Sequence, residues 1–152
     1  MGQIVGWPNW IGVVAVDMER QRRILVAHLV FLSGVILHAA DHIARGTASL
    51  PRAVFWGGII LAVFQFGSLA FTIPGDQRAP FVAMAVGFGT AIGTTASHLL
   101  PHWSALSNPY PSLSLGAYSW AVMLAEIATG IVLGLVGVRE VRRHGAAMPG
   151  AA

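Results

Sequence analysis

Residues 24–44 read "ILVAHLVFLSGVILHAADHIA". Nearly every position up to Leu37 is apolar, so the stretch has no polar face to turn toward water. As a helix rising about 1.5 Å per residue, it is long enough to cross a hydrocarbon core of roughly 30 Å. Apart from His28 near its start, ionisable groups collect at its end, where His38, Asp41 and His42 stand together.

Three further runs share this character, about Val54 to Ile73, Phe81 to Leu100 and Ala117 to Val138. In the 152-residue chain, 55% of residues are hydrophobic and 10% charged, and the mean hydropathy is +0.68, well outside the range of a water-soluble domain. The reading is an all-α membrane protein: residues 1–152 form a single transmembrane domain, a four-transmembrane-helix antiparallel bundle. The connectors "RGTASLPR" (45–52) and "IPGDQRAP" (73–80) are short and contain Pro and Gly, so consecutive helices should lie side by side and antiparallel. The third, "PHWSALSNPYPSLSLG" (101–116), carries three prolines with Trp103 and Tyr110 and suits an interfacial loop folded back on the bundle. Gly89-x-x-x-Gly93 and Gly130-x-x-x-Gly134 are expected to let helices approach closely.

All nine basic residues are arginines, grouped at the ends of the spans with no aromatic-interleaved basic face, which argues against nucleic acid and for lipid headgroups as partners. Arg20, Arg22, Arg23, Arg78, Arg139, Arg142 and Arg143 fall on one side of the four spans, and Arg45 and Arg52 on the other. The positive-inside rule then predicts a multi-pass cell (inner) membrane protein with both termini cytoplasmic and 139–152 as a cytoplasmic tail. In residues 1–20 the charges follow the apolar run, the reverse of a cleaved signal, so the segment is expected to be retained. Pro8, Trp7 and Trp10 suggest a short interfacial N-terminal segment, with Asp17 a candidate N-cap for the first helix.

Ionisable side chains inside a span cost about 2.5–3.5 kcal/mol each at the centre on insertion scales, so their pattern carries information. At 100° per residue, His42 lies about 40° round the helix from His38 and Asp41 about 60° the other way, so the three share a face. The third span also runs outward, and "HLLPH" (98–102) closes it with His98 and His102. Two H-x-x-x-H pairs thus reach the same side of the membrane at similar depth. With no cysteine in the chain, any metal must be held by nitrogen and oxygen donors. His38, Asp41, His42, His98 and His102 are therefore the candidate metal site, with Asp41 either a ligand or an acceptor that fixes a histidine tautomer. Pro101 disfavours helix at Leu100, so His102 can belong to the loop. Deeper in the membrane, Gln65 and Glu126 lie at matching depth and form a possible proton or polar site, with Thr90 and Thr94 along the track from His98. His28 reads as structural and His144 as solvated.

The two boxes resemble those of membrane di-iron hydroxylases and desaturases, over "HAADH" and "HLLPH" alone. Those families also carry H-x-x-H-H boxes, which this chain lacks, and the assignment is not adopted. Four functional readings follow: a protein binding a transition metal ion (copper, zinc or iron) in metal handling or redox chemistry; a bis-histidine haem protein, resembling four-helix membrane cytochromes, that uses His38 with His98; a non-catalytic accessory subunit of a homo-oligomer or larger membrane complex; and an ion-coupled carrier built on Glu126 and Gln65. The motifs leave catalysis open. H-E-x-x-H, G-x-S-x-G and a phosphate-binding glycine loop are all missing.

Overall fold

The computed structural model describes the backbone of residues 10–146, and the side chains of 18–143 apart from Ser49. The expectations for Trp7, Trp10 and His144 concern side chains outside these residues. The described chain is helical with no strand: α1 (Trp10–Arg45), α2 (Arg52–Gly67), α3 (Leu69–Thr72), α4 (Ala79–His98) and α5 (Ala117–Ala146). α3 continues α2 after a slight break at Ser68, so four stretches are long and apolar enough to span a bilayer: Met18–Arg45, Arg52–Thr72, Ala79–His98 and Ala117–Arg143. The protein is an all-α, four-helix transmembrane bundle.

The main departure from the sequence reading lies at the start. α1 begins at Trp10 and runs without interruption for 36 residues, so residues 10–20 are one helix with the first span, and Asp17 lies inside α1 instead of capping it. Pro8 is the last breaker in this region, and nothing from Trp10 to Arg23 stops helical propagation. The other end has a clear stop. Gly46 takes φ 89°, a left-handed conformation that favours glycine, and its N–H bonds back to the Ile43 carbonyl at 3.0 Å. Between α3 and α4, Gly75 (φ 73°) turns the chain, and the Asp76 carboxylate accepts from the Arg78 N–H at 2.7 Å. Pro80 then opens α4 at a position where its missing N–H costs nothing. α4 stops at His98, three residues before Pro101.

Contacts between helices fix their directions. Along α1 and α5 the pairs are Arg23 with Glu140, His38 with Glu126 and Asp41 with Ser119, falling on one helix as they rise on the other. Arg20 and Gln21 donate to the Gly75 and Ile73 carbonyls, and His28 further along α1 meets Ser68 and Thr72, which sets α2–α3 antiparallel to α1. Ile24, Phe31 and Leu32 of α1 form the apolar core with Ala79 and Ala83 of α4 and Leu133 of α5. The second span is the least covered, with only 11% of its most apolar stretch buried, and Val63 and Phe64 stay 67% and 65% exposed. Such a face contacts the bilayer.

Close packing of α4 on α5 uses one of the expected glycine pairs and not the other. A Cβ built on Gly87 would lie 2.5 Å from the Gly130 carbonyl oxygen and 2.6 Å from the Gly134 nitrogen, whereas one on Gly89 or Gly93 meets nothing within 4 Å. The α5 pair therefore faces Gly87, two residues before Gly89 and so on a different side of α4. Backbones this close also gain Cα–H···O contacts. Gly87→Ala should destabilise the folded protein by about 1–3 kcal/mol through overpacking. Gly93→Ala should be close to neutral, the two being compared by thermal unfolding in detergent.

A buried histidine cluster at one end of the bundle

Three helices and a loop bring the polar residues together. The last turns of α1 supply His38, Asp41, His42 and Arg45, α4 ends on His98, α5 supplies Ser119 and Glu126, and the 99–116 loop delivers Tyr110. That loop folds back on the bundle, as its prolines and aromatics predict. The Trp103 indole N–H donates to the Ala96 carbonyl at 2.7 Å, Ser97 Oγ donates to the Leu106 carbonyl at 2.7 Å, and the Asn108 N–H reaches the Ser97 carbonyl at 2.8 Å. Carbonyls at the end of α4, which have no partner within the helix, are satisfied in this way. Tyr110, between Pro109 and Pro111, is driven fully inside at 0% exposure.

His38, His42 and His98 present ring nitrogens that all lie within 4.8 Å of one another. Their ring centroids are 4.7 Å (His38–His42), 5.1 Å (His38–His98) and 5.5 Å (His42–His98) apart. An ion held at about 2.1 Å in tetrahedral geometry needs its nitrogens about 3.4 Å apart, inside the 4.8 Å spread seen here. His38 and His98 are buried and His42 partly so.

Hydrogen bonds assign the proton on each ring. His38 Nδ1–H donates to the Glu126 carboxylate, and His38 Nε2 accepts from the Tyr110 hydroxyl at 2.9 Å. His98 Nδ1–H donates to the Asn108 carbonyl at 3.1 Å, leaving its Nε2 lone pair for a ligand. A histidine that gives one N–H to a carboxylate or carbonyl and offers its other nitrogen is the arrangement metal ligands adopt. His42 differs, because its Nδ1 receives Arg45 Nη2 at 3.1 Å. Burial pushes the Tyr110 hydroxyl up to about 12, against the Arg45 charge that pulls it down, so the phenol stays a neutral donor.

Of the predicted site residues, the structure brings His38, His42 and His98 together and separates two others. His102 lies past Pro101 on the surface, exposed and outside the cluster. Asp41 is buried beside the site, but both its oxygens are taken: Oδ2 by Arg45 Nε at 2.8 Å and Oδ1 by the Ser119 hydroxyl at 2.8 Å. It touches no histidine nitrogen and serves as the anchor of Arg45. Gln65 and Glu126 do meet. Gln65 Nε2 donates to Glu126 Oε1 at 3.4 Å and to Thr90 Oγ1 at 3.0 Å, and the pair joins the histidine site through His38 instead of forming a separate layer. Thr94 is buried nearby. His28 is structural, satisfied by Thr72 Oγ1 at 3.0 Å and Ser68 Oγ at 2.7 Å. Sequence reasoning missed Ser119, and it placed Tyr110 at the membrane interface; the pairing of Asp41 and His42 with Arg45 is the one their spacing at the helix end allows. For Tyr110, the flanking prolines were the available signal.

No family model matches the chain, and no solved structure matches it. It is 32% identical over 112 residues to the H(+)/Cl(-) exchange transporter ClcA of Vibrio vulnificus, which is 72% of this chain and 23% of that protein. It is 35% identical over 105 residues to the zinc transporter ZIP11 of Bos taurus, which is 68% of this chain and 26% of that protein. The chain thus spans about a quarter of the length of the curated relatives it matches. Both relatives are membrane transporters by name, in keeping with a multi-pass membrane protein.

His38→Leu should cost about 3–5 kcal/mol of stability, because it strands a buried carboxylate. The double variant His38→Leu/Glu126→Leu should recover part of that loss, a non-additivity read in a double-mutant cycle of detergent unfolding. A second measurement follows Tyr110. With Tyr118→Phe leaving it as the single tyrosine, tyrosinate absorbance should appear only near pH 12 in the folded protein. The unfolded chain ionises near ~10. The raised hydroxyl therefore contributes stability that is present below about pH 10 and lost as pH climbs through about 12.

Proposed function

We propose that the protein binds a transition metal ion through His38, His42 and His98 at the outward end of the bundle and takes part in moving or handing on that ion across a cell membrane. The observation that carries this reading is the convergence of three imidazoles within 4.8 Å, two of them already oriented by Glu126 and Asn108. Three protein ligands leave a position free for water or a donor, which suits exchange better than permanent structural binding. A nitrogen-only donor set fits zinc, copper and iron alike, and the zinc transporter among the relatives makes zinc the first ion to test. The outward placement of the site and cytoplasmic termini rest on the arginines, with Arg20, Arg22, Arg23, Arg78, Arg139, Arg142 and Arg143 at one end and Arg45 and Arg52 at the other. The sparsely covered second span is where a second copy or another subunit of a membrane complex can seat.

Haem is the weaker cofactor. The His38 and His98 rings meet edge to face at 5.1 Å, and Tyr110 packs on His98 at 4.6 Å, so a porphyrin between them has to expel Tyr110 from the core. A single ion needs less: the rings turn and the hydrogen bonds from Tyr110 and Arg45 are released.

The test is zinc binding by the purified protein, read by elemental analysis and calorimetry. Wild type should bind with an affinity that His38→Ala and His98→Ala abolish and that Glu126→Gln weakens by about 10–100-fold through the tautomer it fixes. His102→Ala should leave binding unchanged. Equal and negligible metal in wild type and both alanine variants overturns the reading, and a Soret band in the purified protein replaces it with haem.

A further inference from the structure

We propose that Arg45 is the gate of the three-histidine site: its guanidinium and a metal ion exclude one another at His42. This inference rests on the metal-binding reading above and adds a competing resident cation to it.

A guanidinium has only donors and keeps its proton in proteins. The 3.1 Å contact from Arg45 Nη2 to His42 Nδ1 therefore makes that nitrogen the acceptor and places the His42 proton on Nε2. A neutral imidazole has one in-plane lone pair, and it is the pair a metal takes. While Arg45 holds it, His42 is not a ligand. An ion can bind Nδ1 in place of the guanidinium, or bind Nε2 after the proton shifts to Nδ1, which then faces Arg45 donor to donor. Both routes require Arg45 to leave.

The same Nη2 also donates to the Tyr110 oxygen at 3.1 Å, and the Tyr110 hydroxyl occupies His38 Nε2. One side chain thus holds two of the three ligands in their closed state, one directly and one through a phenol. Somewhere for it to go exists. Arg45 lines a cavity of about 360 Å³ with Leu50, Asn108, Leu113, Ser114 and Leu115. Its side chain is 25% exposed, whereas that of Asp41, its 2.8 Å partner through Nε, is 4% exposed. Asp41 is the fixed post of the hinge. Arg45 both lines this cavity and touches His42, so a swing of its side chain into the cavity uncovers the site.

Calorimetric titration of zinc into the full chain in nanodiscs tests this with wild type, Arg45→Met and Asp41→Asn/Arg45→Met. The double variant removes the guanidinium without leaving an unbalanced carboxylate. Both variants should bind zinc roughly tenfold or more tightly than wild type, since no charge-assisted bonds must be broken first. Unchanged affinity in both overturns the gate while the metal site stands. A gain confined to the single variant assigns the effect to the freed Asp41 charge and also overturns it. If wild type and both folded variants bind nothing, the metal reading itself fails. A measurement without substitution covers a variant that misfolds: imidazole ¹⁵N shifts of the metal-free wild type should show the His42 proton on Nε2. A proton on Nδ1 overturns the gate.

Discussion

A carboxylate buried inside a membrane-spanning bundle must be answered by its neighbours, and the polar interior here is built around Glu126. Stripped of water, it has a desolvation cost that only hydrogen bonds and opposite charge can offset. His38 answers one oxygen and Gln65 the other, with Gln65 steadied on Thr90. The consequence reaches beyond stability. Once Nδ1 of His38 is committed to Glu126, its Nε2 has one direction to face, toward Tyr110 and the other two histidines. The orientation of the candidate ligand is therefore a by-product of satisfying the acid.

Small residues make that answer geometrically possible. A Cβ on Gly34 would meet Thr129 Oγ1 at 2.8 Å and the Glu126 Cα at 3.2 Å, so the backbones of α1 and α5 come close together at the level of the acid. His38 lies one turn further along the same face of α1, within reach of the Glu126 carboxylate. The Gly87 contact with Gly130 and Gly134 draws α4 equally close to α5, which carries His98 inward at the end of the helix. Bulkier residues at these points would separate the three helices and with them the three imidazoles. The apolar packing and the chemistry share the same few positions.

How much of this was legible in the sequence depended on whether a feature was local. Four spans, their antiparallel order and the end of α4 before Pro101 follow from hydropathy, loop length and proline stereochemistry, all properties of a few adjacent residues. So does the shared face of His38 and His42. The partnership of His38 with Glu126 was not legible, because it depends on the rotation of α1 against α5, and an apolar helix surrounded by lipid shows no strong polar face from which to read that rotation. Arg45 was legible in part: its pairing with Asp41 and His42 is local, at i, i+4 and i, i+3 on one helix, and only its contact with Tyr110 depends on a loop that returns from beyond residue 99. The same return buries Tyr110, whose type alone suggested the interface.

Arg45 sets the charge beside the histidines. Its guanidinium, anchored by Asp41, touches the ring of His42 and stands where a cation proposed for the three histidines would sit. In a poorly screened interior like charges repel far more strongly than in water, so such a cation and the guanidinium would compete for one position beside the same carboxylate.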